Sequence, residues 1–93
     1  MQWTHVEGMD KGQVHLYALS TCGWCAKTKQ LLNDLKVDFQ YVYVDLLPPE
    51  ELRGALQEVA KWNPQQSFPT LVIDNEKVIV GFREDAIREA FGA

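Results

Sequence analysis

The chain has 93 residues, of which 46% are hydrophobic, so it can bury one core and predicts one domain. Its net charge of −4 and its scattered basic residues argue against a nucleic-acid partner. The start lacks the basic residues and apolar run of a signal peptide, and no stretch is long enough to span a membrane. We therefore expect a cytoplasmic protein with no membrane partner.

The first half of the chain predicts a strand, a helix and a second strand. The apolar run from Val14 to Leu19 is rich in strand formers and ends at residues typical of a helix start. From Cys25 to Leu35 the less polar residues recur every three or four positions, which indicates an amphipathic helix beginning at the cysteines. Aromatic and β-branched residues then fill Phe39 to Val44. Such a unit favours parallel pairing of its two strands.

The second half predicts a helix, a hairpin and a last helix. Apolar residues from Leu52 to Ala60 follow the helical period, and Pro64 forbids continuation of the helix. The β-rich runs Thr70 to Ile73 and Val78 to Val80 are separated by a polar connector typical of a tight turn. Acidic residues at Glu84 and after it begin the final helix.

This order, βαβαββα, predicts an α/β fold with a four-stranded mixed sheet and flanking helices. Residues 1–12 contain two glycines and no strong periodicity. We expect them to form an N-terminal extension, either a tail or an extra edge element, ahead of a domain over residues 13–93.

The two cysteines, Cys22 and Cys25, lie at the predicted helix start. A disulfide between them would close too short a loop to add much stability, and such a pair in a reducing cytosol more often performs redox or metal chemistry. Free N–H groups and the helix dipole would stabilise a Cys22 thiolate, the reactive form of cysteine. We therefore predict that Cys22 attacks and Cys25 resolves, with no cofactor beyond their redox-active disulfide.

The alternative chemistry for this pair is half of a zinc or iron-sulfur site, which uses the same spacing. Two ligands do not complete such a site, and His5 and His15 lack a characteristic spacing. A metal site would need a dimer or an outside ligand. We predict no metal ligands within the chain.

Two segments carry a family resemblance: Thr21-Cys22-Gly23-Trp24-Cys25 after a strand, and Ser67-Phe68-Pro69-Thr70 ahead of a hairpin. Together they resemble the glutaredoxin branch of the thioredoxin superfamily. The resemblance implies a thioredoxin/glutaredoxin fold and thiol-disulfide oxidoreductase activity. It also implies that Pro69 follows a cis peptide bond and lies against the cysteines, with the backbone of Phe68 free to pair with a bound thiol substrate.

Two positions depart from the glutathione-using members of that family. Those proteins usually carry two consecutive glycines where this chain has Gly81 and Phe82. Gly-Phe-Arg before an acidic helix start is similar instead to the NrdH-type redoxins, which serve ribonucleotide reductase and are recharged by a thioredoxin reductase. Many glutaredoxins also have a lysine where this chain has Leu19. The resemblance therefore argues against glutathione, although its carboxylate could still meet N–H groups near Asp85.

We therefore predict a monomeric dithiol electron carrier that reduces protein disulfides and is recharged by a thioredoxin-reductase-like or ferredoxin-linked reductase. Two alternatives stay open: a glutathione-dependent glutaredoxin, and an iron-sulfur or metal carrier that uses Cys22 across a dimer. The predicted substrate-binding residues are Thr21, Trp24, Phe68, Pro69, Gly81 and Phe82.

Overall fold

The computed structural model describes residues 1–92. The strands are Thr4–Val6 (β1), Val14–Ala18 (β2), Phe39–Tyr43 (β3), Thr70–Ile73 (β4) and Lys77–Val80 (β5), and the helices are Gly23–Asp34 (α1), Pro49–Trp62 (α2) and Glu84–Ala90 (α3). A short 3₁₀ helix over Val44–Leu46 follows β3 and was not predicted. Apart from this 3₁₀ helix and β1, the elements confirm the predicted βαβαββα order. None of the helices in the described range is both long and apolar enough to cross a membrane.

The strands form one mixed sheet in the order β1-β3-β2-β4-β5. The central pair, β2 and β3, is parallel because α1 carries the chain back across the sheet between them. The hairpin strands β4 and β5 are antiparallel, and β4 pairs antiparallel with β2. The predicted mixed α/β fold is therefore confirmed.

The predicted count of four strands is wrong, because the N-terminal segment adds a fifth. Strand β1 pairs antiparallel with β3, from Thr4 opposite Tyr41 to Val6 opposite Phe39. With only three residues, β1 is too short to show an alternating pattern in the sequence. Trp3 anchors it: its ring centroid lies 4.8 Å from that of His15 and 5.1 Å from that of Tyr17. The division of the chain at residue 13 stays a prediction.

Each face of the sheet carries its own hydrophobic cluster. Successive side chains of a strand point to opposite faces, so Leu16 packs with α1 and α3, whereas Tyr17 packs with α2. On β4, likewise, Leu71 packs in the cluster beneath α1 and α3, and Val72 packs in the cluster beneath α2. Since β2 and β3 are parallel, their carboxyl ends meet at one edge of the sheet, and the cysteines follow β2 at that edge.

Candidate active site

Cys22 is the N-cap residue of α1. Its backbone is extended, with φ −97° and ψ 117°, and its Sγ accepts a hydrogen bond of 3.2 Å from the backbone N–H of Cys25. A serine or aspartate oxygen usually accepts this N-cap hydrogen bond. The Cys22 sulfur takes its place, at the helix end where the dipole stabilises negative charge. The first turn of α1 contains no acidic residue. Cys22 Sγ therefore lies at the positive end of the α1 dipole and is hydrogen-bonded to the first turn of that helix.

Cys25 lies one turn further into the protein and is a buried thiol, with 2% of its surface exposed, whereas Cys22 is half-buried. The Cys25 Sγ accepts a hydrogen bond from the backbone N–H of Leu19 at 3.5 Å. Burial raises the pKa of the Cys25 thiol to about 12, and the hydrogen bond with the Cys22 side chain is the second largest cause of this rise. The two sulfurs therefore differ in their access to solvent, and Cys25 holds its proton.

A carboxylate outside the motif fixes the loop before the cysteines. Asp45, in the 3₁₀ helix after β3, accepts hydrogen bonds from the Ser20 backbone N–H at 2.8 Å and from the Ser20 hydroxyl at 2.5 Å. Those two bonds lower the pKa of Asp45 from its ordinary value. Asp45 is therefore a charged acceptor at the edge of the site.

A buried amide holds the second predicted segment. Asn63, which is 5% exposed, donates through Nδ2 to the Ser67 carbonyl oxygen at 3.0 Å, to Ser67 Oγ at 3.0 Å and to Thr70 Oγ1 at 3.2 Å. The Thr70 hydroxyl also donates to the Ser67 carbonyl at 2.8 Å. These bonds connect the end of α2 to the loop that carries Phe68 and Pro69.

The Phe68–Pro69 peptide bond is cis, as the resemblance implies. Pro69 is buried, and its carbonyl oxygen accepts a 2.8 Å hydrogen bond from the Gly81 N–H. Gly81 has φ +82°, a conformation that other residues rarely adopt. The structure thus joins two of the predicted segments directly, through backbone atoms of Pro69 and Gly81.

Trp24 and Phe82, both predicted as substrate-binding residues, contact each other. Their ring centroids are 5.9 Å apart and the rings are nearly parallel, with an interplanar angle of 22°. Trp24 is 59% exposed, and Lys27 Nζ lies 5.0 Å from its ring centroid. Trp24, within the cysteine motif, and Phe82, one of the two departures from the glutathione-using members, therefore form one aromatic surface.

The remaining predicted residues lie around the same centre. Phe68, Phe82 and Cys22 are half-buried and pack against the same hydrophobic cluster beneath α1 and α3. Thr21 is exposed in the turn that precedes Cys22. The structure therefore brings the cysteine segment, the cis-proline segment and the Gly81–Phe82 pair to one region and leaves Thr21 at its solvent side.

Comparison with known proteins identifies the family. The glutaredoxin family model matches residues 14–78, which include both cysteines, the cis proline and most of the sheet. The chain belongs to the glutaredoxin family. It is accordingly a thiol-disulfide oxidoreductase, with disulfide-containing substrates and a reductase as its redox partner.

Three relatives illustrate this membership. A glutaredoxin structure from Methanosarcina mazei Go1 is 55% identical with a TM-score of 0.91, covering 100% of this chain and 90% of that one. Methanoredoxin from Methanosarcina acetivorans is 56% identical with a TM-score of 0.90, covering 92% and 90%. A glutaredoxin-like 8.6 kDa protein in a rubredoxin operon of Clostridium pasteurianum is 34% identical over 76 residues, covering 80% of this chain and 91% of the relative.

The E. coli NrdH-redoxin is a more distant neighbour of this glutaredoxin, with 22% identity and a TM-score of 0.60. At that identity the comparison shows a shared fold alone. The predicted NrdH-like character therefore stays a prediction.

Sequence reasoning missed two polar residues at this glutaredoxin's site, Asp45 and Asn63. Asn63 lies at the helix end that Pro64 predicts, but no contact of its side chain was predicted. Its position could have indicated this role, because Asn63 is a polar residue directly between an amphipathic helix and Pro64. A buried polar side chain at such a place often forms hydrogen bonds with the backbone of the following loop. Asp45 carried no local signal, because its partner Ser20 lies on another strand connection.

Proposed function

We propose that Cys22 and Cys25 are the redox pair of a dithiol electron carrier, in which Cys22 attacks protein disulfides and Cys25 resolves the intermediate. The asymmetry of the two thiols carries this proposal. Cys22 is accessible and caps a helix, whereas Cys25 is buried and protonated one turn away. A partly exposed thiolate can reach a disulfide on another protein, while the buried thiol is protected from outside disulfides and attacks only within the intermediate.

The proposed cycle has two exchanges and a reset. The Cys22 thiolate bonds to one sulfur of the substrate disulfide, and the other sulfur leaves with the electron pair and takes up a proton. Cys25 then loses its proton and bonds to Cys22, which expels the second substrate sulfur as a thiolate that is protonated in turn. The substrate gains two electrons and two protons, and the carrier holds a Cys22–Cys25 disulfide. A disulfide reductase returns two electrons and two protons.

The recharging partner in this proposal is a thioredoxin-reductase-like or ferredoxin-linked enzyme rather than glutathione. Two contacts support it. Leu19, where many glutaredoxins have a lysine, packs against the hydrophobic cluster beneath α2 and presents no cation. Phe82, in place of a glycine, places its ring against Trp24. A flat aromatic surface beside Cys22 is typical of a protein-protein contact, since tryptophan and other aromatic residues are enriched there.

Mass spectrometry after equilibration in glutathione and dithiothreitol buffers tests the choice of reductant. We expect a midpoint potential of about −270 mV, as in thioredoxin, and no lasting Cys22-glutathione adduct. A higher potential with a stable adduct would contradict reductase recharging.

Phe82→Ala tests the role of the aromatic surface in the same buffers. Removing the ring leaves the face of Trp24 open, so we expect a Cys22-glutathione adduct to accumulate that the wild type does not retain. Met9→Ala is the matched control, because Met9 is 52% exposed and its backbone pairs with Val37, before β3 begins. Equal adduct levels in wild type and in Phe82→Ala would show that the ring does not exclude glutathione.

A further inference from the structure

Asp45 connects the end of β3 to the loop before the cysteines. The parallel register of β2 and β3 places Ala18 opposite Tyr43, and continuing it by two residues places Ser20 opposite Asp45. The Asp45 carboxylate accepts hydrogen bonds from the Ser20 backbone N–H at 2.8 Å and from the Ser20 hydroxyl at 2.5 Å. Hydrogen bonds to an ionised acceptor are about twice as strong as neutral ones. Because Ser20 is exposed, these bonds rather than burial fix its position.

The loop fixed in this way contacts both halves of the redox pair through the backbone of Leu19. The Leu19 N–H donates to Cys25 Sγ at 3.5 Å, and the Leu19 carbonyl oxygen accepts from the Cys22 N–H at 3.3 Å. Cys25 is 2% exposed, so water has little access to its sulfur. The Leu19 amide is therefore a protein donor in place to meet negative charge on that sulfur.

We propose that Asp45 is a positioning residue for the resolving step, which through Ser20 holds the Leu19 N–H against Cys25 Sγ while that sulfur carries negative charge. This proposal rests on the proposed function above. In the step concerned, Cys25 releases its proton to solvent and its sulfur bonds to Cys22 Sγ. The bond between Cys22 and the partner sulfur breaks, and that sulfur leaves with the electron pair and is protonated.

The charge of Asp45 and its geometry act on this step in opposite directions. Burial is the main cause of the high pKa of Cys25, and the negative charge of Asp45 raises that pKa as the smallest cause. An asparagine keeps an oxygen to accept the Ser20 N–H and an amide to meet its hydroxyl, but carries no charge. Asp45→Asn should therefore resolve the intermediate as fast as wild type or faster, whereas Asp45→Ala should be slow.

Stopped-flow reaction with 5,5′-dithiobis(2-nitrobenzoate) separates the two steps. Attack by Cys22 releases one thionitrobenzoate, and resolution by Cys25 releases the second, so reduced protein gives two absorbance phases. We expect Asp45→Ala to slow the second phase about tenfold, the effect of losing one hydrogen bond to a charged group. The first phase should change by less than about twofold, since Cys25 is not charged in that step.

The matched control is Asp38→Ala. Asp38 also accepts from one side chain and one backbone N–H, His5 Nε2 at 2.8 Å and the Gly8 N–H at 3.2 Å, but in the described part of the chain the segment it fixes makes no hydrogen bond to either cysteine. A slow second phase in Asp45→Ala, restored by Asp45→Asn and absent in Asp38→Ala, supports positioning. An unchanged second phase in Asp45→Ala, equal slowing of both phases, or equal slowing in Asp38→Ala would overturn it. If wild type itself releases no second equivalent, the proposed function fails instead.

Discussion

Replacing Asn63 with alanine should loosen the loop that carries Phe68 and Pro69. The change removes three contacts of Nδ2 with Ser67 and Thr70, and the bond that Asn63 Oδ1 accepts from the Gln65 N–H at 3.2 Å. An intramolecular hydrogen bond stabilises by about 1 kcal/mol net. The exposed Gln65 and Ser67 can bond to water instead, but Thr70 Oγ1 is buried and loses a donor. We therefore expect a loss of about 2–3 kcal/mol in the free energy of unfolding.

Urea unfolding of the reduced protein measures this loss, with an unchanged slope against urea concentration. A thermal scan should show a fall of roughly 10–20 °C for a chain of this size. Gln66→Ala is the matched control, since the Gln66 side-chain amide also donates to a backbone carbonyl, that of Leu56 at 2.9 Å, but is exposed. The control should lose about 0.5 kcal/mol or less. Equal losses in the two variants would refute a structural role for the Asn63 amide.

Two further predictions concern the buried thiol and the edge strand. The folded protein holds the Cys25 proton to about pH 12, whereas an ordinary cysteine loses it near 9.0, so this contribution to stability is present below pH 9.0 and is lost as the pH rises toward 12. Between about pH 8 and pH 10.5, the free energy of unfolding of the reduced wild type should therefore fall by roughly 1–2 kcal/mol more than that of Cys25→Ser, as measured by urea unfolding. An equal fall in the two proteins would contradict the raised pKa. Trp3→Ala removes two aromatic contacts, with His15 and Tyr17, each contributing about 1 kcal/mol, and should speed hydrogen exchange at Val6 while Leu16 stays protected. Unchanged exchange at Val6 would show that the Trp3 ring does not anchor β1.

The elements that the sequence predicted are those whose side-chain period lasts long enough to be recognised. The helix from Gly23 to Asp34 and the helix from Pro49 to Trp62 each present an apolar stripe over three turns or more. The strand at Thr4–Val6 contributes only three residues, so no alternation could distinguish it from a tail. Its place in the sheet depends on the packing of Trp3 against His15 and Tyr17, which is a tertiary contact that the local sequence does not encode.

The cysteine pair was predictable because its chemistry and its position at a helix start are both local. The residues around it were predicted one at a time, and their contacts were not. Trp24 and Phe82 were each predicted to bind substrate, but their stacking depends on where α3 begins relative to α1. Likewise, Ser20 and Asp45 meet only because the parallel register sets their strands side by side.

The most direct test of the redox assignment is to trap the mixed disulfide. Reduced Cys22→Ser and Cys25→Ser are each mixed with a protein disulfide substrate, quenched with acid and examined by intact mass spectrometry. The mechanism predicts that Cys25→Ser accumulates a one-to-one adduct through Cys22, because attack proceeds and resolution does not, while Cys22→Ser forms none. Equal trapping by both variants, or an adduct only in Cys22→Ser, would contradict the assignment of Cys22 as the attacking sulfur.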